Sequence, residues 1–326
     1  MDGDLQDWNV LSDEFKGSDL LLGNGFSRNF SDRFSYDSLF SEFIQNTDQA
    51  DKIKKFNTTN FESILKDLQI AKKVNDYFAI ESNELSNIYE EVKNGLVESI
   101  TKLHPKFDDL NAGKLDLSSK IISSTFRNIY TTNYDSIIYH IILKINDWHQ
   151  EDKRITKFSD YFWGDIDSSF YKAFTGIQNY PVKKVFYLHG ALFIYEIRQY
   201  ILKRIRGRND SELLDLITES IGKGEIPIFV SEGDANQKKQ AINSNGYLTF
   251  ANNHFRDETD SLTIFGFGFS KQDEHILESI NRKRRRIAIS IYRGSQSQDE
   301  IRSKKNEIES KLNKQSVEYF DSTTLF

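Results

Sequence analysis

Four short apolar stretches in this sequence each end in a turn with glycine or small polar residues. They form four segments, here called the site segments: Leu20–Ser27, Thr131–Asp135, Tyr187–Gly190 and Ile264–Ser270. Each looks like the end of a buried strand, and stretches with helical spacing separate them. Strands that alternate with helices indicate a parallel sheet covered by helices on both faces. We therefore predict an α/β fold, a Rossmann-like doubly wound parallel sheet.

The stretch between the first two site segments differs in composition from the rest of the chain. Residues 36–118 show helical spacing and carry many Lys, Glu, Asn and Gln side chains. We interpret them as an inserted helical subdomain. Residues 1–35 and 119–326 are then predicted to form the Rossmann-type domain.

Other parts of the Rossmann-type domain give weaker patterns. Residues 147–179 are rich in Phe, Tyr, Trp and Asp, and we interpret them as an ordered loop region that covers the site. Residues 194–224 are interpreted as a polar, helical stretch. Further along the chain, the patterns predict strands at 226–230, 286–292 and 316–320 and helices at 273–282 and 298–313.

Composition limits the classes of protein to which this chain can belong. Aromatic residues make up 13% of the 326 residues, which is typical of globular rather than disordered chains. The absence of cysteine excludes disulfides, thiolate zinc sites and iron–sulfur clusters. The net charge of −6 argues against direct nucleic-acid binding. The sequence shows no signal-peptide pattern and no apolar stretch long enough to span a bilayer, so we expect a cytoplasmic protein without a membrane partner.

The first two site segments place small and polar residues directly after strands. Gly23 and Gly25 would let a phosphate approach the backbone without a Cβ clash, although a glycine turn with Ser27 as a helix cap explains the same pattern. In Thr131–Asp135, three kinds of polar side chain crowd one strand end. A helix needs only one cap, so this surplus favours contact with a ligand.

The third site segment places His189 between an apolar strand and a glycine. Its ring should emerge at the edge of the sheet. A lone histidine in such a place is more often a core or loop residue than a catalyst. The neighbouring site segments are what make a functional role worth considering.

Taken in order, the four site segments resemble the NAD site of the sirtuin-like superfamily. The quoted motifs are Gly-Asn-Gly-Phe-Ser, Thr-Thr-Asn-Tyr-Asp, Leu-His-Gly and Phe-Gly-Phe-Gly-Phe-Ser. The nearer likeness is to the zinc-free bacterial branch, whose members often act as NAD-consuming effectors in anti-phage defence. The matched motifs amount to a few dozen residues spread from about position 20 to 292.

The resemblance implies a role for each matched residue. Asn133 would hold the nicotinamide ribose and the incoming nucleophile, Asp135 would recognise the carboxamide, and His189 would act as general base. The glycines and Ser27 of the first segment would contact the phosphates and the adjoining ribose, and the fourth segment would contact the adenosine half. The implied NAD-binding residues are Gly23, Asn24, Gly25, Phe26, Ser27, Thr132, Asp135, Gly266, Gly268 and Ser270.

The sequence also departs from the deacylating sirtuins. These carry a zinc module of four cysteines, and this chain has no cysteine, which argues against protein deacylation. Hydrolysis of NAD to ADP-ribose and nicotinamide, with no metal, is then the simplest implied reaction. Cleavage of this bond passes through an oxocarbenium-like state, for which a positioned base typically contributes about 10²–10⁴-fold. Cyclisation and transfer of ADP-ribose to an acceptor stay open.

Three functional hypotheses follow from the resemblance. The first is a regulated NAD glycohydrolase that depletes NAD as an anti-phage effector. The second is a catalytically silent sensor of NAD or ADP-ribose, and the third is a scaffold subunit of a defence complex. We expect a homo-oligomer, with a HerA-type ATPase or another phage-sensing protein as a possible partner.

Three polar features lie outside the site segments. The basic run Arg282–Arg286 fits either a solvated turn or a contact with a phosphate or a partner. Residues 231–234 with Lys238 and Lys239 fit either a polar turn with a solvated helix start or a segment in which Glu232 or Lys238 reaches the site. Asp273 is interpreted as the N-cap of the following helix.

Overall fold

Strands of the chain form two sheets in the computed structural model, which describes residues 4–35, 39–166, 170–177, 182–206, 212–230, 235–258, 260–313 and 315–326. The larger sheet has seven strands, all parallel. In spatial order they are β12 (Ser316–Asp321), β11 (Arg286–Ile291), β10 (Ser261–Phe265), β1 (Asp19–Leu22), β2 (Ile129–Thr131), β6 (Lys183–Tyr187) and β3 (Phe158–Ser159). The prediction of an α/β fold with a Rossmann-like parallel sheet is confirmed.

The central strand β1 is buried on both faces because helices cover both sides of the sheet. Leu20, Leu21 and Leu22 have no exposed surface, which explains why the strand reads as a continuous apolar run. Leu20 pairs with Thr263 of β10 on one side and with Ile129 of β2 on the other. The carboxyl ends of these three strands therefore lie side by side.

Residues 36–118 lie mostly in helices between β1 and β2 where the structure describes them. Their core joins that of the sheet, since Phe40, Phe61 and Leu65 belong to the same apolar cluster as Ile129. The helices are α3 (Leu39–Gln45), α4 (Ala50–Ile53), α5 (Phe61–Tyr77), α6 (Asn83–Leu103) and α7 (Ala112–Thr125), and α7 runs across position 118. The division into subdomains at that position stays a prediction.

The helices outside this stretch connect or flank the strands. They are α1 (Trp8–Leu11), α2 (Asn24–Ser27), α8 (Ile137–Glu151), α9 (Leu213–Gly222), α10 (Ala235–Ser244), α11 (Gly246–Glu258), α12 (Glu274–Asn281) and α13 (Gln298–Lys311). Helix α13 begins with a capping box in which Ser297 and Glu300 exchange hydrogen bonds. Nowhere in the described ranges is a helix both long and apolar enough to cross a membrane.

The second sheet is antiparallel and was not predicted. Its strands, in spatial order, are β4 (Phe162–Gly164), β5 (Tyr171–Phe174), β8 (Tyr200–Arg204), β7 (Gly190–Ile197) and β9 (Pro227–Phe229). The interpretation of residues 147–179 as a loop region is wrong, because α8 extends to Glu151 and β3, β4 and β5 follow. The helical interpretation of residues 194–224 is wrong for β7 and β8 and right for α9.

The hairpin between β7 and β8 explains part of that error. Its turn residues Arg198 and Gln199 adopt φ values of 50° and 71°, a left-handed conformation that such turns usually assign to Asn or Gly. Strand β7 is also buried along six of its eight residues, so it lacks the alternation of a half-exposed strand. Neither usual hairpin signal is present in the sequence.

Candidate functional site

The candidate site lies where the order of the parallel strands reverses. From β1, the chain continues to β2 and β6 on one side of the sheet and later to β10, β11 and β12 on the other. Open α/β sheets bind ligands at the carboxyl ends of the strands beside such a reversal. A cleft of about 780 Å³ opens there, between the turns that begin at Gly23 and Gly266.

Most of the predicted site residues line this cleft. The four site segments, far apart in sequence, meet there because each follows a parallel strand at the same edge of the sheet. The predicted residues that line the cleft are Gly23, Asn24, Gly25, Thr132, Asn133, Asp135, His189, Gly266 and Gly268.

Phe26, Ser27 and Ser270 are predicted site residues that do not line the cleft. Phe26 is fully buried and packs its ring against Phe30, Phe265 and Phe326, so it belongs to the core. Ser27 is also fully buried, directly behind the cleft wall. Ser270 donates its hydroxyl to Asp273 over 2.9 Å. In the structure, the three side chains therefore support the cleft from outside its lining.

The glycines of the first and fourth segments pack the two turns against each other. A Cβ on Gly23 would lie 2.6 Å from the Gly266 carbonyl oxygen, and Gly25 donates its amide to the same oxygen over 2.9 Å. Gly266 itself has a φ of +67°, and a Cβ there would lie 2.5 Å from the Phe26 nitrogen. These glycines are thus required by backbone contact, whereas Gly268 has open space where its Cβ would be.

Asn133 is fixed by a buried hydrogen-bond chain. Its side-chain nitrogen donates to the Gly23 carbonyl oxygen at 3.0 Å and to Ser27 Oγ at 2.9 Å. Ser27 in turn donates to Asp135 Oδ2 at 2.5 Å. In the part of the chain that the structure describes, no donor contacts the Asn133 amide oxygen, and the residue lies on the cleft wall. The amide oxygen is therefore available as an acceptor for a ligand.

Asp135 serves two purposes. Its Oδ1 accepts the backbone N–H of Ile137 at 2.9 Å, which caps the start of α8, while Oδ2 accepts from Ser27. Burial raises the pKa of Asp135, and the hydrogen bonds from Ser27 and Ile137 partly offset this. One carboxylate oxygen of Asp135 therefore caps a helix, and the other accepts the hydrogen bond from Ser27.

His189 forms a pair with a second histidine that the sequence did not point to. Its Nε2 lies 2.8 Å from Nε2 of His275 on α12, and both side chains are buried. Burial, the close contact with the His275 ring and the positive charge of Lys238 hold the pKa of His189 well below its usual range, against the effect of Asp273. Burial likewise lowers the pKa of His275 to about 4. Both rings are therefore neutral near pH 7, and one donates the shared proton to the other.

A partly buried ion pair forms another part of the cleft wall. Lys238 on α10 donates to Asp273 Oδ1 at 2.8 Å, and both residues line the cleft. Burial alone would raise the pKa of Asp273, but His189, Lys238 and Ser270 lower it below its ordinary value. Asp273 holds the predicted N-cap position of α12, but its side chain makes no capping hydrogen bond there. Lys238 reaches the cleft, while Glu232 and the rest of 231–234 lie outside the described residues.

His104 is a further cleft residue that the sequence analysis missed. It follows α6, packs against Phe34 and Tyr134, and is buried. Burial lowers its pKa to about 4, opposed by the Ile100 carbonyl. Its Nδ1 has no hydrogen-bond partner among the described residues. The only sequence signal was a histidine before a proline at the end of a helix, which is too common to single out.

Four of the five residues in the basic run Arg282–Arg286 contact other parts of the protein. Arg282 lies 3.5 Å from Asp257, Lys283 lies 2.7 Å from Asp260, and Arg286 lies 2.9 Å from Glu14. Arg285 is instead buried, with its guanidinium over the Phe255 ring. The run is therefore neither a free cationic patch nor a wholly solvated turn.

The metal-free reaction stays a prediction. Across the described ranges, no three His, Asp or Glu side chains form a group that could hold a metal ion.

No curated protein matches the sequence. One family model, that of a domain of unknown function, DUF4917, matches residues 20–325. Because this match covers most of the chain, the protein belongs to the DUF4917 family.

Proposed function

We propose that the cleft binds NAD and hydrolyses its nicotinamide–ribose bond, which gives ADP-ribose and nicotinamide. The observation that most favours this proposal is the placement of Asn133. Its side chain is held by Gly23 and Ser27 at the strand reversal, on the same cleft as His189. The cleft volume of about 780 Å³ also falls in the usual range for ligand pockets.

Asn133 would orient the nucleophile in this reaction. Its amide nitrogen is committed to Gly23 and Ser27, so the amide oxygen would accept a hydrogen bond from water or from a ribose hydroxyl. Water attacks the anomeric carbon as the bond to nicotinamide breaks, and the water releases one proton. Because Asn133 cannot rotate without breaking two buried hydrogen bonds, the acceptor is held in place before substrate arrives.

His189 would take that proton, since it is neutral near pH 7 and lies in the cleft. In the structure its Nε2 faces His275, and a hydrogen bond to the Thr132 carbonyl raises its pKa slightly against the larger effect of burial. One of these contacts has to open before the ring can accept a proton from water. Substrate binding would therefore have to rearrange the His189–His275 pair.

Three cations at the cleft suit the pyrophosphate of NAD. Arg28, Arg33 and Lys304 line it, and no carboxylate in the described parts of the chain pairs with their side chains. Exposed cations that form no salt bridge can turn toward an anionic ligand, although Glu307 on the same helix attracts Lys304. Gly268 lines the same cleft and leaves space beside its backbone, which suits close approach by the dinucleotide.

The test is direct incubation of the purified chain with NAD, followed by chromatography of nicotinamide and ADP-ribose. Asn133→Ala and His189→Ala should abolish turnover, while Asn9→Ala, at an exposed position on α1, should leave it unchanged. NAD binding without turnover would favour the sensor hypothesis. Neither binding nor turnover would overturn the assignment of the site.

Regulation is part of the same proposal, because an unrestrained enzyme would deplete NAD in its own host. The support for an anti-phage role, a homo-oligomer and a HerA-type ATPase or other phage-sensing partner is the resemblance of the four site segments. Sedimentation of the purified chain at several concentrations tests the oligomer. NAD turnover with and without a candidate partner tests the restraint.

A further inference from the structure

A second cavity, of about 430 Å³, lies between α10, α11 and α12. It shares no lining residue with the cleft described above. Polar and charged side chains dominate its lining. Those that bear on its chemistry are Lys239, Asn243, Asn252, Arg256, His275 and Arg282.

The charges in this cavity are predominantly positive. Lys239, Arg256 and Arg282 face one carboxylate in the lining, Glu278, which pairs with Lys239 at 2.6 Å. Arg256 and Arg282 share a single carboxylate, Asp257, at 2.9 and 3.5 Å. Two guanidinium groups that share one carboxylate keep donors free for a further anion, because each guanidinium carries five N–H groups.

Two hydrogen bonds connect this cavity to the third site segment. His275 bonds to His189 through Nε2, and Asn252 donates to the Leu188 carbonyl oxygen at 2.8 Å. His275 is 7% exposed, and its Nδ1 has no hydrogen-bond partner in the described ranges. Nδ1 of His275 is therefore a buried polar atom without a partner in the wall between the two cavities. Such an atom points to a ligand or a rearrangement on the side of the second cavity.

We propose that this second cavity is a regulatory site for a small phosphate-bearing molecule, with Arg256, Arg282 and Lys239 as the anion-binding groups. Binding of this molecule affects the cleft through the hydrogen bonds that His275 and Asn252 make to the third site segment. The cavity lies within the usual size range for small-molecule sites, at the lower end.

The coupling has a simple electrostatic basis. His275 is surrounded by His189, Lys238 and Lys239, and by the carboxylates of Asp273 and Glu278. A phosphate beside Lys239 offsets positive charge that now disfavours a protonated His275. His275 can then become the stronger donor to His189, or turn away from it, and either change alters His189 in the cleft. Binding at one site is then linked to binding at the other.

Phosphate affinity tests the site without any assay of turnover. Inorganic phosphate is titrated into the full chain by calorimetry, alongside two double variants. Arg256→Gln with Arg282→Gln should weaken phosphate affinity by about tenfold or more, as expected for the loss of charged hydrogen bonds. Arg33→Gln with Lys304→Gln removes phosphate binding in the cleft but should leave the phosphate affinity of the second cavity unchanged, as should Arg302→Gln on the surface of α13. The reverse pattern, or no phosphate binding to the wild-type chain, would overturn the proposal.

The link to the cleft is measured separately and rests on the proposed binding of NAD. Saturating phosphate should change NAD affinity by about fivefold or more, a typical allosteric coupling. His275→Gln should remove that change while phosphate still binds. If NAD does not bind at all, the phosphate titration still decides whether the second site exists. An unchanged NAD affinity in the wild-type chain would show that the site is not regulatory.

Discussion

Ser27 and Asp135, which are 108 positions apart in sequence, share a buried hydrogen bond of 2.5 Å behind the cleft wall. Ser27 also accepts the second hydrogen bond of Asn133. One hydroxyl therefore ties the turn after β1 to the turn after β2. The serine acts on the ligand site through Asn133, because it does not itself line the cleft.

Substitution of Ser27 by alanine should destabilise the protein and loosen Asn133. The change leaves Asp135 Oδ2 and one Asn133 N–H without their partner in a fully buried place, which costs about 1–3 kcal/mol of unfolding free energy. Chemical denaturation measures this change. Ser12→Ala, which removes a hydroxyl with an exposed hydrogen bond to the Asn9 carbonyl oxygen, is the control. An unchanged stability would mean that water replaces the hydroxyl.

The two glycines of the fourth site segment should respond differently to alanine. Gly266→Ala places a Cβ against the Phe26 backbone at a φ of +67°, and we expect it to cost at least about 1–3 kcal/mol of stability. Gly268→Ala meets open space, so its stability should stay within about 0.5 kcal/mol of wild type. It should nevertheless weaken NAD binding if the dinucleotide passes over this backbone. Thermal melting and NAD titration of the two variants separate these effects.

The meeting of the four site segments could be predicted from the sequence. Apolar runs such as Leu20–Leu22 mark buried parallel strands, and the carboxyl ends of such strands share one edge of a sheet. The residues that follow them are therefore neighbours. The cleft and most of its predicted lining therefore follow without any knowledge of side-chain orientation.

The parts of the site that were missed depend on helix packing and on turns without their usual residues. His275 lies on α12 among apolar residues, and only the packing of that helix against the sheet brings it to His189. The second sheet was missed because the turn at Arg198 and Gln199 contains no glycine or asparagine. Ser27 and Phe26 were predicted to contact NAD because sequence alone does not show on which side of the cleft wall a residue lies.

Stability should fall on acidification through the range set by the buried histidines. Burial lowers the pKa of His104, His140 and His275 from 6.5 to about 4. Between these values the unfolded chain binds more protons than the folded chain, so unfolding becomes easier as the pH falls from 6.5 to 4. The stability that the neutral rings contribute is fully present above pH 6.5.

Denaturation at a series of pH values tests this effect with single substitutions. His140→Gln should flatten the decline, because each such histidine accounts for on the order of 1–3 kcal/mol across the range. Asn9→Ala, at an exposed position without a titratable group, is the control and should leave the slope as it is. A slope that His140→Gln does not change would mean that the ring is hydrated in the native state.

Removal of His275 should release His189 and raise its pKa. His275 is the second-largest cause of the low His189 pKa, after burial, and it occupies the Nε2 atom. In His275→Ala, the ring of His189 gains an unpartnered nitrogen and protonates at higher pH than in the wild-type chain. If His189 is the general base, the acid side of the pH profile of kcat/KM should move to higher pH, because the base must be neutral to act.

Histidine NMR titration of the His275→Ala variant checks the pKa of His189 directly. An unshifted His189 resonance would contradict the pairing, and a shifted resonance with an unchanged rate profile would assign the base to another group.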